Sequence, residues 1–342
     1  MNYTPLEKPV PVSRQTWPAS TFPLVSVWCA IYQHERYLER AIESFLMQET
    51  TFPVQIILHD DASTDSSAAI IQQYAQRFQG CIVPIVQSVN LFGQGKLSGV
   101  GPLFRPHSKG KYIAVCDGDD FWVSPDKLQK QVSLMESDSG ISLTFHQVMI
   151  TNSDGDIEVA KKYPKTVTSV ATTSEILESY SIVTCSVVVR EPIEEGLVPH
   201  FSGKVQSVDW ALWLLASLRG RIVGLPDCMA AYRQHASGMW TGSRYIERAC
   251  SEYDLWRGMH QIMPARFRPQ IRNNLLKLAR GLARDSSASG ISSRHVLLFV
   301  KLGYLFLCWN RGLLKPWFIY LSKAFLGEKS THALAKTVNG WK

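Results

Sequence analysis

The sequence predicts an α/β protein with a mostly parallel central sheet flanked by helices. Two observations predict it. From Leu24 to Cys116, short apolar runs rich in β-formers alternate with stretches whose apolar residues recur at helical spacing. That β-α-β-α-β order is the signature of a parallel sheet wrapped by helices. Two of the apolar runs also end in acidic clusters, at Asp60-Asp61 and at Asp117-Gly118-Asp119-Asp120. Sheets of this kind bind ligands beyond the carboxyl ends of their strands, so the clusters mark the expected site.

The elements follow in order. Leu24–Ile31 reads as a buried strand. Glu35–Met47 reads as a helix with Leu38, Ala41, Ile42, Phe45 and Leu46 on one face. Val54–Leu58 is the second strand. Ser63 is expected to cap a helix over Ser66–Phe78. Cys81–Gln87 is the third strand and Tyr112–Cys116 the fourth. The glycine-rich stretch 90–110 between them allows a helix without requiring one. Lys127–Met135 reads as helix, Ile141–Met149 as strand, and Asp154-Gly155-Asp156 as a hairpin turn. Ile182–Val189 is expected to be strand. Val208–Leu218 is expected to be an apolar helix, and Arg221–Val223 and Met229–Tyr232 two short strands. From Tyr245 onward the chain reads as mainly helical, with a flexible break over Asp285–Ser293.

Composition narrows the class. Apolar residues make up 45% and charged residues 19%, which excludes wholesale disorder. Seven scattered cysteines, none at CxxC spacing, argue against a zinc site or a disulfide framework and for a reducing compartment. The first residues lack the apolar core of a signal peptide, so a cytoplasmic location is expected. Charge is uneven: Arg257–Lys342 carries 15 Lys/Arg against two acids, while the remainder is net acidic. A basic, aromatic-rich tail suggests an anionic partner.

The acidic clusters suit phosphate chemistry. A departing diphosphate needs its charge neutralised, and carboxylates at Asp117, Asp119 and Asp120 could hold Mg²⁺ or Mn²⁺ for that purpose. A solvated acidic turn is the plainer reading of the same residues. Asp60 and Asp61 could accept hydrogen bonds from a base or ribose, while Ser63 and Asp65 serve the helix start. Asp209 opens an apolar helix beside Trp210 and Trp213; desolvation there would raise its pKa and make it a better base. A helix-dipole carboxylate is the alternative. Arg233 could grip phosphate, and His235 could ligate metal or phosphate.

Five segments in order resemble glycosyltransferase family 2, the inverting GT-A fold enzymes of bacterial surface-polysaccharide synthesis. They are PLVSVWCAIYQHERYLERAIESFLMQ, IILHDDASTD, KYIAVCDGDDFWVSPDKLQKQ, SVDWALWLLAS and YRQHASGMW, within about 23–240. The resemblance implies that Tyr32, in the turn Ala30-Ile31-Tyr32-Gln33, flanks the base. Ala30 and Gln33 depart from the family's usual Pro-x-Tyr-Asn. It implies that Asp61 reads the base with Asp60 nearby, that Asp117 lies near the ribose and the metal, and that Gly118 belongs to the nucleotide-sugar site. Asp119 or Asp120 would hold the metal, Asp209 would be the catalytic base, and Arg233 and His235 would close over the diphosphate.

The expectation is therefore a metal-assisted inverting transferase. Its donor would be a nucleoside-diphosphate sugar, most simply UDP-linked, and its acceptor a glycan or a lipid-linked glycan. A nucleotidyltransferase would need a glycine-rich phosphate loop where this chain reads CAIYQHERY. A non-catalytic sugar-nucleotide module is the second alternative. A nucleic-acid binder is the third, and no motif supports it. The expected organisation is a poorly ordered lead-in over 1–22 and a catalytic domain over 23–244, divided at 124/125 into nucleotide and acceptor halves. A basic helical extension over 245–342 would either lie on the inner face of the plasma membrane or cap the catalytic domain.

Overall fold

A computed structural model describes residues 3–94, 101–154, 157–164, 170–179, 182–191, 205–309, 313–322 and 324. The chain forms two compact units. One comprises Met1–Val198 with Val208–Ala236, the other Pro199–Ser207 with Ser237–Lys342.

In the first unit, the strands are β1 (Val10–Pro11), β2 (Val25–Ile31), β3 (Glu49–Thr50), β4 (Val54–Asp60), β5 (Ile82–Val86), β6 (Tyr112–Val115), β7 (Phe121–Trp122), β8 (Ile141–Thr151), β9 (Ile157–Tyr163), β10 (Val170–Ala171), β11 (Val188–Arg190) and β12 (Arg221–Arg233). The helices between them are α1 (Leu38–Leu46), α2 (Ser67–Arg77), α3 (Gly101–Phe104), α4 (Lys127–Ser137), α5 (Thr173–Glu178) and α6 (Val208–Arg219).

The main sheet runs β10-β12-β8-β11-β6-β2-β4-β5. β5, β4, β2 and β6 are mutually parallel, as are β8 and β12. The antiparallel ladders are short: β11 joins the two parallel blocks, and β7, β9 and β10 add at the margins. β2 and β4 are buried almost throughout, which is why they read as unbroken apolar runs. α1 buries Leu38, Ala41, Ile42, Phe45 and Leu46, as its spacing predicts.

Several expectations are corrected. Residues 10–17 are not a loose lead-in but a docked strap. β1 pairs with β3, and the Gln15 amide donates to the carbonyls of Val10 and Thr50 and to Thr50 Oγ1. The Trp17 indole in turn donates to Gln15 Oε1. Ser63 does not cap α2, which starts at Ser67; the Ser67 N–H bonds Asp65 Oδ1 instead. The two short strands expected near 221–232 are one strand. Pro226, which lacks an N–H, falls where its register with β8 shifts. Within Ile182–Val189, Thr184–Ser186 is a 3₁₀ turn, and only Val188 onward is strand.

The second unit contains α7 (Tyr245–Ile262), α8 (Arg268–Ser289) and α9 (Ser293–Trp309). Each packs on the other two. α8 buries Ile271, Leu275, Leu278 and Leu282 at three- and four-residue spacing. The expected break at Asp285 starts later, at Gly290, whose φ of +84° ends α8. In its last turns the hydroxyls of Ser286, Ser287 and Ser289 bond carbonyls three or four residues back.

Candidate active site

The site forms where β2, β4 and β6 end side by side. Ladder bonds continue past the strands: Asp61 N–H donates to the Ile31 carbonyl at 3.0 Å, and Gly118 N–H to the Ala30 carbonyl at 2.9 Å. Ala30 therefore acts through its backbone, holding the acidic turn. Tyr32 follows β2 directly and is 47% exposed.

Two residues here adopt left-handed backbone, Gln33 (φ +59°) and Ala62 (φ +60°). Gln33 offsets that cost by tying the turns after β2 and β4 together. Its N–H bonds Ser63 Oγ at 2.9 Å, its amide donates to Thr64 Oγ1 at 2.7 Å, and its Oε1 accepts from the N–H groups of Thr64 and Asp65.

The structure gives Asp60 and Asp61 different surroundings. Asp60 is fully buried and accepts from the Ser63 N–H and hydroxyl. Asp61 accepts the N–H groups of Leu91 (2.8 Å) and Phe92 (3.0 Å), so its carboxylate fixes the loop after β5.

The second cluster also divides. Asp120 turns into the fold, 3% exposed, and accepts the Arg233 N–H at 2.8 Å. Burial, with Asp119 beside it, holds its carboxyl well above the usual range. Asp119 faces two imidazoles: His235 Nε2 lies 3.0 Å and His34 Nε2 3.7 Å from its Oδ2. Burial works to raise the Asp119 pKa, but the His235 bond and the charges of both histidines outweigh it. Asp117 is pushed up to about 8 by burial, then by Asp119, then by Asp209. The influence of Asp209 on Asp117 places these carboxylates in one electrostatic field.

Sequence reasoning passed over His34 and Thr184, and read Gln33 only as a departure from the family's turn. His34 sits in the first segment quoted above, and its only signal was an imidazole one turn from a strand end. Its ring rests on Gly118, where a Cβ would meet His34 Nδ1 and Ile31 Cγ1, both at 2.9 Å. Gly118 is needed for that close approach. Thr184 gave no signal in the sequence. Its hydroxyl donates to Asp209 Oδ2 at 2.6 Å, while Trp210 N–H donates to Asp209 Oδ1 at 2.9 Å.

Arg233 is 4% exposed. Its Nε donates to the Asp119 carbonyl at 2.7 Å and its Nη1 to the Ser153 carbonyl at 2.9 Å. The guanidinium lies over the Tyr37 ring, 4.5 Å from the centroid. These bonds make it a clamp on the acidic turn.

Among the described residues, no group of three or more His, Cys, Asp or Glu is placed to hold a metal ion. Asp119 and His235 supply two donors. That number fits a hard cation that shares its coordination with the phosphates of a bound nucleotide.

The profile of glycosyl transferase family 2 matches residues 26–196, and the chain belongs to that family. An uncharacterized protein of Mycobacterium tuberculosis is 34% identical over 227 residues, 66% of this chain. The match spans 62% of that relative's own length. A Bacillus subtilis protein named as a teichuronic acid biosynthesis glycosyltransferase is 28% identical over 62% of this chain and 79% of its own. Among solved structures, residues 1–349 of Staphylococcus aureus TarS in complex with UDP-GlcNAc align with a TM-score of 0.53 at 16% identity, covering 89% of this chain and 92% of that chain. The mannosyltransferase PcManGT of Pyrobaculum calidifontis, in complex with GDP-Man and Mn²⁺, aligns at 0.50 and 15%, covering 96% and 92%. At these identities the likeness is one of fold, and the fold is GT-A.

Proposed function

We propose that the chain is an inverting glycosyltransferase. It would move a sugar from a nucleoside-diphosphate sugar, UDP-linked in the simplest case, to a hydroxyl of a glycan or lipid-linked acceptor. One observation carries the reading. Tyr32, Asp117 and the Asp119–His235 pair gather at the sheet's carboxyl edge, and Asp209 is close enough to perturb Asp117. The two solved structures are complexes, one with UDP-GlcNAc and one with GDP-Man and Mn²⁺. That supports a nucleotide-sugar donor and a divalent cation here.

The residues divide the work. Tyr32 would flank the base, and Asp60 and Asp61 would shape the edge that receives it. Asp119 is the better candidate for the principal metal ligand, because Asp120 spends its carboxylate on Arg233. A divalent cation held by Asp119 and His235 with the donor phosphates would offset the charge gathering on the leaving diphosphate. Arg233 would keep the acidic turn in place through the Asp119 carbonyl. Asp209 would take the proton of the acceptor hydroxyl. The acceptor oxygen then bonds to the anomeric carbon opposite the breaking bond, and the nucleoside diphosphate departs with configuration inverted.

The test is Asp209→Asn, which keeps the shape but accepts no proton. Turnover should fall roughly 10²–10⁴-fold with donor affinity and melting temperature close to wild type. Wild-type turnover in the variant would remove Asp209 from the mechanism. A lipid-linked acceptor would put the enzyme on the inner face of the plasma membrane. Among the described residues no helix is long and apolar enough to cross one.

A further inference from the structure

α9 is apolar on both sides, yet only one side is covered. Leu298, Phe299, Leu302, Leu305 and Phe306 are buried within the second unit. Val296, Leu297, Val300, Tyr304 and Leu307 point outward and are 40–67% exposed. At about 100° per residue these five occupy an arc of roughly 100°. Arg294 and Lys301, both exposed, follow at one edge of that arc. Single exposed apolar residues need no explanation, but a continuous stripe along about three turns does.

A second observation says what covers it. α8, in the same unit, exposes Lys277, Arg280 and Arg284, at i, i+3 and i+7 on one helix face. No ion pair joins any of the three to another described residue. The sequence from Arg257 onward carries 15 basic residues against two acids. A second copy of this chain would bring two strongly basic units together, and that contact is repulsive. An anionic lipid surface offers both things the unit lacks: opposite charge and an apolar phase. The 17 residues of α9 fall short of the ~20 needed to span a bilayer, and half of the helix is already occupied by the unit's own core. Its geometry suits lying in the headgroup plane.

We propose that the second unit docks on an anionic lipid surface, with the Val296–Leu307 stripe of α9 seated among the acyl chains and the α8 cations drawing it to the headgroups. This uses neither donor nor acceptor and stands apart from the transfer reaction.

The experiment is co-sedimentation of the full chain, without nucleotide or acceptor, with vesicles of phosphatidylcholine alone or mixed with phosphatidylglycerol. Wild type should partition onto the mixed vesicles, release at high salt, and stay off phosphatidylcholine. Val300→Asp with Tyr304→Asp should lose partitioning by at least about tenfold. Lys277→Glu with Arg280→Glu and Arg284→Glu should lose roughly fivefold per residue changed. All the changed side chains are exposed, and melting curves matching wild type would confirm folded variants. Equal binding by wild type and both variants, or no binding to mixed vesicles at low salt, overturns the proposal. So does a wild-type dimer in solution that Val300→Asp with Tyr304→Asp converts to monomer, because the stripe would then face a second copy.

Discussion

Asp209 receives a hydroxyl bond from Thr184, and a donor aimed at a carboxylate stabilises its charged form. The same bond fixes which way the carboxylate points. Thr184→Val is therefore expected to lower turnover roughly tenfold with donor affinity unchanged. Unchanged turnover would mean that Thr184 does not orient the proposed base. Gly118 makes a different kind of contribution, since the space its missing Cβ would fill belongs to His34 and Ile31. Gly118→Ala should cost about 1–3 kcal/mol through overpacking. Adding His34→Ala should recover part of that loss, and a melting temperature that does not recover would break the steric link. These residues also mark where the sequence was readable. Asp119 and His235 announced themselves as chemistry-bearing types after strands, and the fold brings them within 3.0 Å. Thr184 lies 25 residues from Asp209, and no local pattern could have joined them.

Lys127, at the start of α4, is wholly buried, and among the described residues no carboxylate bonds its ammonium group. Its Nζ donates to Gln131 Oε1 at 2.8 Å and lies 4.3 Å from the Trp122 ring centroid. Burial lowers its pKa from 10.5 to about 7, against the opposing pull of Cys116 and Cys185. A base with a depressed folded pKa gains stability as pH rises from the folded value to the unfolded one. Wild type should therefore gain stability relative to Lys127→Met between about pH 7 and pH 10.5, while Lys127→Met should raise the melting temperature at pH 7. Parallel wild-type and variant pH curves would refute the assignment. The strands and helices themselves were largely legible, because β2, β4 and α1 are buried on the faces their patterns describe. The misreadings share one cause. The strap at 10–17, the 3₁₀ turn at Thr184–Ser186 and the continuity of β12 across Pro226 are all set by partners distant in sequence.

Across the molecule, the proposed sharing of a cation between Asp119, His235 and the donor phosphates predicts that cation and nucleotide bind together. Mn²⁺ with a nucleoside diphosphate should raise the melting temperature more than either alone, and chelation should erase the difference. At 100 times the dissociation constant the pair should add about 2.7 kcal/mol. Full nucleotide stabilisation in excess chelator would show that the cation is dispensable for binding.

The position of β11 also sets a schedule for synthesis. β6 pairs with β2 on one edge, but its other edge waits for β11, 75 residues further along the chain. At ribosomal speeds of about 5–20 residues per second, that edge stays unpaired for roughly 4–15 s. An unpaired edge of four apolar residues is a template for misassociation between nascent chains. Ribosome-bound fragments just long enough to carry Val115 outside the exit tunnel should recruit holdase chaperones, and fragments long enough to expose Arg190 outside it should release them.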